Sequence, residues 1–484
     1  MKSVKKTKMT TGDDEASPQK SLIDVAQIDI PGGVTILFPD DLSLMTPYVL
    51  LEQGDWFEDE ISFVRCMVER GTDAIDIGAN YGIYTLTLAK LSGPDGRVWA
   101  FEPTSRTADY LDRSLVVNGL ANVELIRAAL SDHDGEARLT TFVNSELNTL
   151  RGSGTTTGET VRLETLDGCR TRWRGRDIAF VKIDAEGEDA NVIRGGERFF
   201  CEQSPLVMFE IKQDDVVNFD LVERFRERGY EIFRLVPGLG VLEPFLRSGV
   251  VDPFQLNLFA AKPDRAKVLA ARGLLVRTAE PLPPQPGLRS GLWDEQVVTQ
   301  TWAANLWPLW QHGRLGDGSA GWGIHRDALN AFAQSRRSDL PPGQRLAMLR
   351  FAFDRIGAAV ENAATVPRLF SLVRIATVLG ERGRAVEVLS HLEVLLEAGD
   401  AIVLDEPFLP LDSRFETLVP GDRLTDWMVT SVLEALVQFG SFSSYFNFDR
   451  SRNLLAKIVR QPFHNAEAER RLKLIAFVNR EHRA

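Results

Sequence analysis

The sequence is poor in cysteine, in histidine and in unbroken apolar runs. Its 484 residues include three cysteines and six histidines. Cys66, Cys169 and Cys201 are odd in number, far apart and free of any C-x-x-C spacing, so they point neither to a disulfide framework nor to a zinc site. No apolar run reaches the roughly 18 to 20 residues that cross a bilayer. Met1 to Ser21 carries lysines without the apolar stretch of a signal peptide. The expectation is a cytoplasmic chain with no membrane span. Positive charge is also in short supply, with 56 Lys and Arg against 68 Asp and Glu, a net charge of -12. Nucleic-acid phosphate is held mainly by clustered Lys and Arg, so no nucleic-acid partner is expected.

What is present is organised in blocks. Residues 1–22 are polar, without hydrophobic period, and read as a disordered tail. From about Ile28 to Lys262 short apolar runs alternate with helical patterns, the signature of an α/β sheet, here assigned to a domain over 23–263. Strands are predicted at Ala74–Ile77, Arg97–Phe101, Val123–Ile126, Ala179–Ile183, Leu206–Ile211, Glu231–Leu235 and Gln255–Ala260. No crossover helix separates the last two, which predicts an antiparallel closing strand. Residues 264–290, with the run PLPPQPG at Pro281 to Gly287, read as a linker, implying that residues 1–280 fold alone. Residues 291–484 read as helical. Arg368 to Gly399 forms a helical hairpin loosely like one tetratricopeptide-type unit. Five tryptophans, Trp293, Trp302, Trp307, Trp310 and Trp322, crowd the start of this part. They either pack its core or anchor a protein partner or acceptor glycan.

The strongest motif is DAIDIGANYGIYTL, Asp73 to Leu86. A strand ends near Asp76, turns through Gly78, Asn80 and Gly82, and opens a helix whose first N–H groups face a ligand. Glu102 follows the next strand, twenty positions beyond Gly82. That places a carboxylate where it can accept both hydroxyls of an adenosine ribose. Dehydrogenases use this geometry with a G-x-G-x-x-G loop, whereas these glycines are four apart. Asp76, two residues before the first glycine, suits the ammonium of an aminoacyl-bearing ligand. S-adenosyl-L-methionine is therefore the expected cofactor.

From Glu52 to about Lys212 the chain resembles the FkbM family of methyltransferases. The resemblance rests on DIGANYG with YTLTLAK, GRVWAFEP at Gly96 to Pro103, VVNGLANVEL at Val116 to Leu125, ALSDHDGEARL at Ala129 to Leu139, and FVKIDAEGEDANVIRGG at Phe180 to Gly196. Ala185 stands where that family usually has valine, and Tyr81 where a smaller aliphatic residue is common. The resemblance implies a Rossmann-like class I methyltransferase sheet, mostly parallel with an antiparallel last strand, followed here by an all-α domain that the family does not cover. It implies that Asp76, Gly78, Asn80 and Gly82 line the methionine end of the cofactor and that Glu102 holds the ribose. Asn122, Val123 and the Ala129 to Asp132 loop, Ser131 included, would lie near the adenine.

The chemistry then falls to carboxylates at strand ends. Asp184 closes FVKID, Glu186 follows in the turn and Glu210 lies in MFEIK. Adjacent carboxylates raise one another's pKa, which makes one a usable base for a hydroxyl acceptor. Alternatively they bind a divalent cation, with ligands unassigned. Lys182 reads as a structural partner of one of these acids, and Glu188 as a charge favouring the next helix. The resemblance implies O-methylation of a sugar or secondary-metabolite hydroxyl. N-methylation, or a cofactor-sensing assembly protein, are the alternatives.

Overall fold

The computed structural model describes residues 25–140, 158–213, 216–246, 251–277, 287–313, 322–398 and 402–481. The expected tail at 1–22 and the prolines of the run at 281–286 lie outside the described residues. By its contacts the chain divides into two units, Met1–Arg234 with Gln255–Leu269, and Leu235–Phe254 with Ala270–Ala484.

The first unit is built on a sheet of β1 (Asp73–Ile77), β2 (Val98–Phe101), β3 (Val123–Ile126), β4 (Ile178–Ile183), β5 (Leu206–Glu210), β6 (Glu231–Val236) and β7 (Asn257–Ala261). Their spatial order is β6-β7-β5-β4-β1-β2-β3. Strands β1 to β5 run parallel where they pair, and β7 is antiparallel to both β5 and β6. β1, β2 and β7 are buried along their whole length, which is why they read as continuous apolar runs rather than alternating ones. The chain leaves β1 toward β2 on one side and returns to β4 on the other, so a crevice opens beyond the carboxyl ends of β1 and β4.

Three smaller sheets escaped the sequence reading, the smallest a pairing of Lys212–Gln213 with Val216–Val217. A hairpin pairs Val25–Ile30 with Val34–Pro39. Ala129–Leu130, Gly158–Glu164 and Gly135–Thr140 form a three-stranded sheet in the order in which they are named here. The segment read as the start of a linker also begins with a helix, Pro263–Ala271.

The second unit is helical. Trp322–Ser335, Pro342–Asn362, Val366–Leu379, Arg382–Glu397, Leu424–Phe439, Phe448–Ile458 and Ala466–Glu481 each pack on the next. Prolines at the first turns of the second and third of these fit positions whose N–H would be unbonded. Gly380, at φ 88°, ends the third in a left-handed turn and starts the hairpin legible in the sequence. Trp293, Trp302 and Trp310 are buried together with Phe408 and Trp427, the indoles of Trp302 and Trp427 stacking at 5.9 Å. Three of the five crowded tryptophans therefore serve this core.

Candidate active site

The turn after β1 has a backbone that only a few residues tolerate. Gly78 sits at φ 78° and a Cβ there would lie 1.8 Å from the carbonyl oxygen of Asp184, so no side chain fits. Gly82, at φ 90°, would drive a Cβ to 2.3 Å from Leu111. Asn80 takes φ 48° and steadies the turn by accepting a 2.8 Å bond from the Tyr81 N–H. Beneath the turn, the Asp76 carboxylate is 1% exposed. Its Oδ2 accepts from the Thr85 hydroxyl at 2.5 Å, while Oδ1 is buried with no hydrogen-bond partner among the described residues. Burial raises the pKa of Asp76, against the pull of the Lys182 charge.

Glu102 follows β2 and reaches back to this turn. Its Oε2 accepts from the Asn80 N–H and its Oε1 from the Thr104 N–H, both at 2.9 Å. Burial lifts its pKa to about 7, although both N–H groups favour the charged form. Turn and carboxylate open on a cleft of about 640 Å³, lined among others by Gly78, Asn80, Glu102, Ala129, Asp184 and Glu188.

On the far side of β1, Lys182 and Asp184 form an ion pair at 2.6 Å. The Lys182 ammonium also lies 5.1 Å from the ring centroid of Tyr84, whose hydroxyl donates to Glu58 at 2.5 Å. Glu186 occupies a left-handed position, φ 47°, in the turn after β4. Burial, with Asp184 and Glu210 adding to it, pushes its pKa to about 10. Glu210 is pushed to about 9 by burial, then by Asp184 and Glu58. Burial leads both shifts, so the site favours the neutral acid at Glu186 and Glu210. Asp184 is paired with Lys182. Among the described residues, no group of three or more His, Cys, Asp or Glu side chains is arranged to hold a metal ion.

Other expectations sort by strand direction. Ala129 and Leu130 line the cleft. Ser131, buried behind them, donates to Glu188 at 3.2 Å. Asp132 and exposed His133 bond one another, and Asp132 also takes Arg194. Asn122 does not approach the cleft: it precedes β3, at the amino end of the sheet, where its amide donates to the carbonyls of Ala89 and Gly93. The helix Ser105–Asn118 carries the chain from the carboxyl end of β2 back to the amino end of β3, where Asn122 lies. Two groups were missed or undervalued. Glu188 forms no side-chain cap on the helix it precedes and instead accepts from Asn191 at 2.6 Å and from Ser131, facing the cleft. Tyr84 lies inside the apolar helix Ile83–Ser92, where its letter carries no signal.

No curated protein matches the chain. Among solved structures it is similar to the methyltransferase FkbM of Methylobacillus flagellatus KT, at 16% identity and TM-score 0.27 over 40% of this chain and 43% of that one. It is also similar to a SAM-dependent methyltransferase from Aquifex aeolicus, at 13% identity and TM-score 0.26 over 44% and 92% of the two chains. Aeropyrum pernix fibrillarin, a structure with natively bound S-adenosyl-L-methionine, gives 14% identity and TM-score 0.26 over 49% and 93%. Residues 76–232, beginning at the buried aspartate of β1 and ending within β6, match the family model for the methyltransferase FkbM domain. The chain thus carries an FkbM methyltransferase domain, about a third of its length, with a helical region after it.

Proposed function

We propose that the chain is an S-adenosyl-L-methionine-dependent O-methyltransferase acting on a hydroxyl of a small molecule or glycan, such as a sugar or secondary metabolite. The observation that carries the reading is the joint between Glu102 and the Asn80 turn at the crevice of the sheet. The residues present fit the cofactor. Asp76 keeps one buried oxygen without a partner, as an ammonium site requires. Gly78 is bare where a Cβ would fill the turn. Each Glu102 oxygen accepts one backbone N–H and retains capacity for a ribose hydroxyl. The cofactor, when bound, supplies a methyl group already activated as a sulfonium. This chain contributes alignment, worth up to about 7 to 11 kcal/mol in general, and a destination for the acceptor's proton. Asp184, held by Lys182, is the group that accepts that proton at Oδ1 or Oδ2. Glu210 and Glu186, carrying protons, donate hydrogen bonds that orient the acceptor oxygen.

The abundance of carboxyl groups at these strand ends also suits a cationic amine, which makes N-methylation the second reading. The cytoplasmic placement, and a protein partner for the helical region, belong to the same proposal. Tritiated-methyl transfer into extracts of a deletion strain tests it and separates hydroxyl from amine products. On the protein itself, Glu102→Ala is expected to weaken S-adenosylmethionine binding by about tenfold or more, since hydrogen bonds to a charged group are lost. Unchanged affinity in calorimetric titration overturns the assignment.

A further inference from the structure

Lys182 stands in an unusual place for a lysine. It lies within β4, is 5% exposed, and is the cross-strand neighbour of Asp76 on β1. Residues opposite one another in a sheet share a face, so its charge and the Asp76 carboxylate meet on one side. Its own bond goes to Asp184, two residues on. The other groups that feel its charge are Glu58, just before the helix Asp59–Met67, and Glu186 and Glu210 at the strand ends. Tyr84 closes the remaining side with its ring. A lone buried ammonium would shed its proton, yet burial is outweighed here by Asp184, Asp76 and Glu58, and the pKa of Lys182 lies above its ordinary value. Lys182 therefore keeps a permanent positive charge between the acid assigned to the cofactor and the acid assigned to the acceptor.

We infer that Lys182 is a positioning residue that couples the two halves of the site, its buried charge bonded to Asp184 and set beside Asp76, where it favours the carboxylate form of Asp76 in the unliganded protein. The inference rests on the cofactor reading above. Asp76 needs this help because burial drives it toward the neutral acid, and a neutral acid offers an incoming ammonium a weaker partner. Without Lys182, Asp76 takes up a proton that cofactor binding must expel. With it, the balance is drawn back toward the carboxylate, whose Oδ1 has no hydrogen-bond partner among the described residues. Asp184 has the opposite influence on Asp76, since its negative charge favours the protonated form.

The test is calorimetric titration of the full-length protein with S-adenosylhomocysteine between about pH 6.5 and 8.5, in two buffers of different ionisation enthalpy so that protons released on binding are counted. Lys182→Met is expected to lose about tenfold or more in affinity at the acid end, to recover toward the alkaline end, and to release more protons than the unaltered chain. Lys182→Arg should keep the original profile. Asp184→Asn should act with the reverse sign, extending tight binding to lower pH. A Lys182→Met protein whose affinity and proton count match the original, or whose affinity falls equally at every pH with an unchanged proton count, overturns the inference. Should Lys182→Met fail to fold, Asp184→Asn decides, because weaker binding at the acid end in that variant overturns it equally. An unaltered protein that does not bind S-adenosylhomocysteine at any pH defeats the cofactor reading and this inference with it.

Discussion

Buried charge is handled in opposite ways at two clusters, one in each unit. In the helical unit Arg368 is 1% exposed and grips Glu406 with two bonds, from Nε at 2.8 Å and from Nη2, while its Nη1 donates to the Ala359 carbonyl at 2.8 Å. His325, fully buried, lies 3.4 Å from the same carboxylate and uses its other nitrogen on Ser371. Burial would raise the pKa of Glu406, but His325 and Arg368 overcome it and hold it at about 2. At the crevice of the sheet, one buried lysine faces several carboxyl groups, and Glu186 and Glu210 are driven up to about 10 and 9. A saturated buried pair specifies a fold. An undersupplied cluster, with Asp76 Oδ1 lacking a hydrogen-bond partner among the described residues, is the pattern expected of a functional site.

The harshest way to break this comparison is to cut the chain after residue 280. The sequence treats that point as a linker, yet Leu235–Phe254 makes its contacts with the helical unit. Glu243 is fully buried there and paired to Arg350. The Gly238 N–H donates to Val378 at 3.0 Å, and Arg382 lies 4.4 Å from the Phe254 ring. A chain ending at 280 keeps Glu243 and loses Arg350, and the side chains of Leu235–Phe254 lose the helices that they pack against. The expected outcome is aggregation or a non-cooperative melt, and a soluble fragment with a sharp transition would show that Leu235–Phe254 folds without its helical partners.

Glu406→Gln comes next in size. It strands the Arg368 charge in the core, so a loss of about 3 to 5 kcal/mol is expected in thermal unfolding. The pH dependence has a defined sign. A carboxyl at about 2 when folded and 4.5 when unfolded adds stability that is complete above about 4.5 and is lost as pH falls toward 2. Acid unfolding of the helical unit should therefore be shallower in the variant than in the unaltered chain. Identical acid transitions would remove Glu406 from the account.

The same contrast explains what could be seen in the sequence. Seven of the eight strands of the main sheet were legible, the fully buried ones as apolar runs, and the antiparallel β7 followed from the missing crossover helix; the eighth, Val241–Pro244, lies in a segment that read as loop. The glycine turn and Glu102 were legible because each answers to a local rule of backbone or spacing. Lys182 and Asp184 were visible as charges in an apolar strand, but their 2.6 Å pairing and the register with Asp76 depend on how β1 and β4 align. Asn122, carried over from the resemblance, misled because it sits at the amino end of β3, away from the cleft beyond the strands' carboxyl ends. The three-stranded side sheet read as loop since its strands, such as GEARLT and GETVRLE, are half polar and short. The helical unit was legible as helical, and its hairpin at Arg368 to Gly399 could be placed because Ala385, Val388, Leu389 and Leu392 follow one apolar stripe, whereas the bounds of the other helices were not read.

The mildest test reverses the sign of the second. Glu210 carries a folded pKa of about 9 against 4.5 for the ordinary group. A raised carboxyl costs nothing below about 4.5, and its cost grows as pH climbs toward 9, because the unfolded chain ionises freely while the folded one resists. Glu210→Gln removes that cost while keeping the shape and a hydrogen-bonding tip. At pH near 8 the variant is expected to melt higher than the unaltered chain. Near pH 5 the two proteins should melt together. Turnover on the identified acceptor should fall while S-adenosylmethionine affinity holds, the mark of a group that serves the acceptor alone. A variant that melts lower at pH 8, as Glu406→Gln does, would mean that Glu210 is a saturated structural acid and that the two clusters treat buried charge alike.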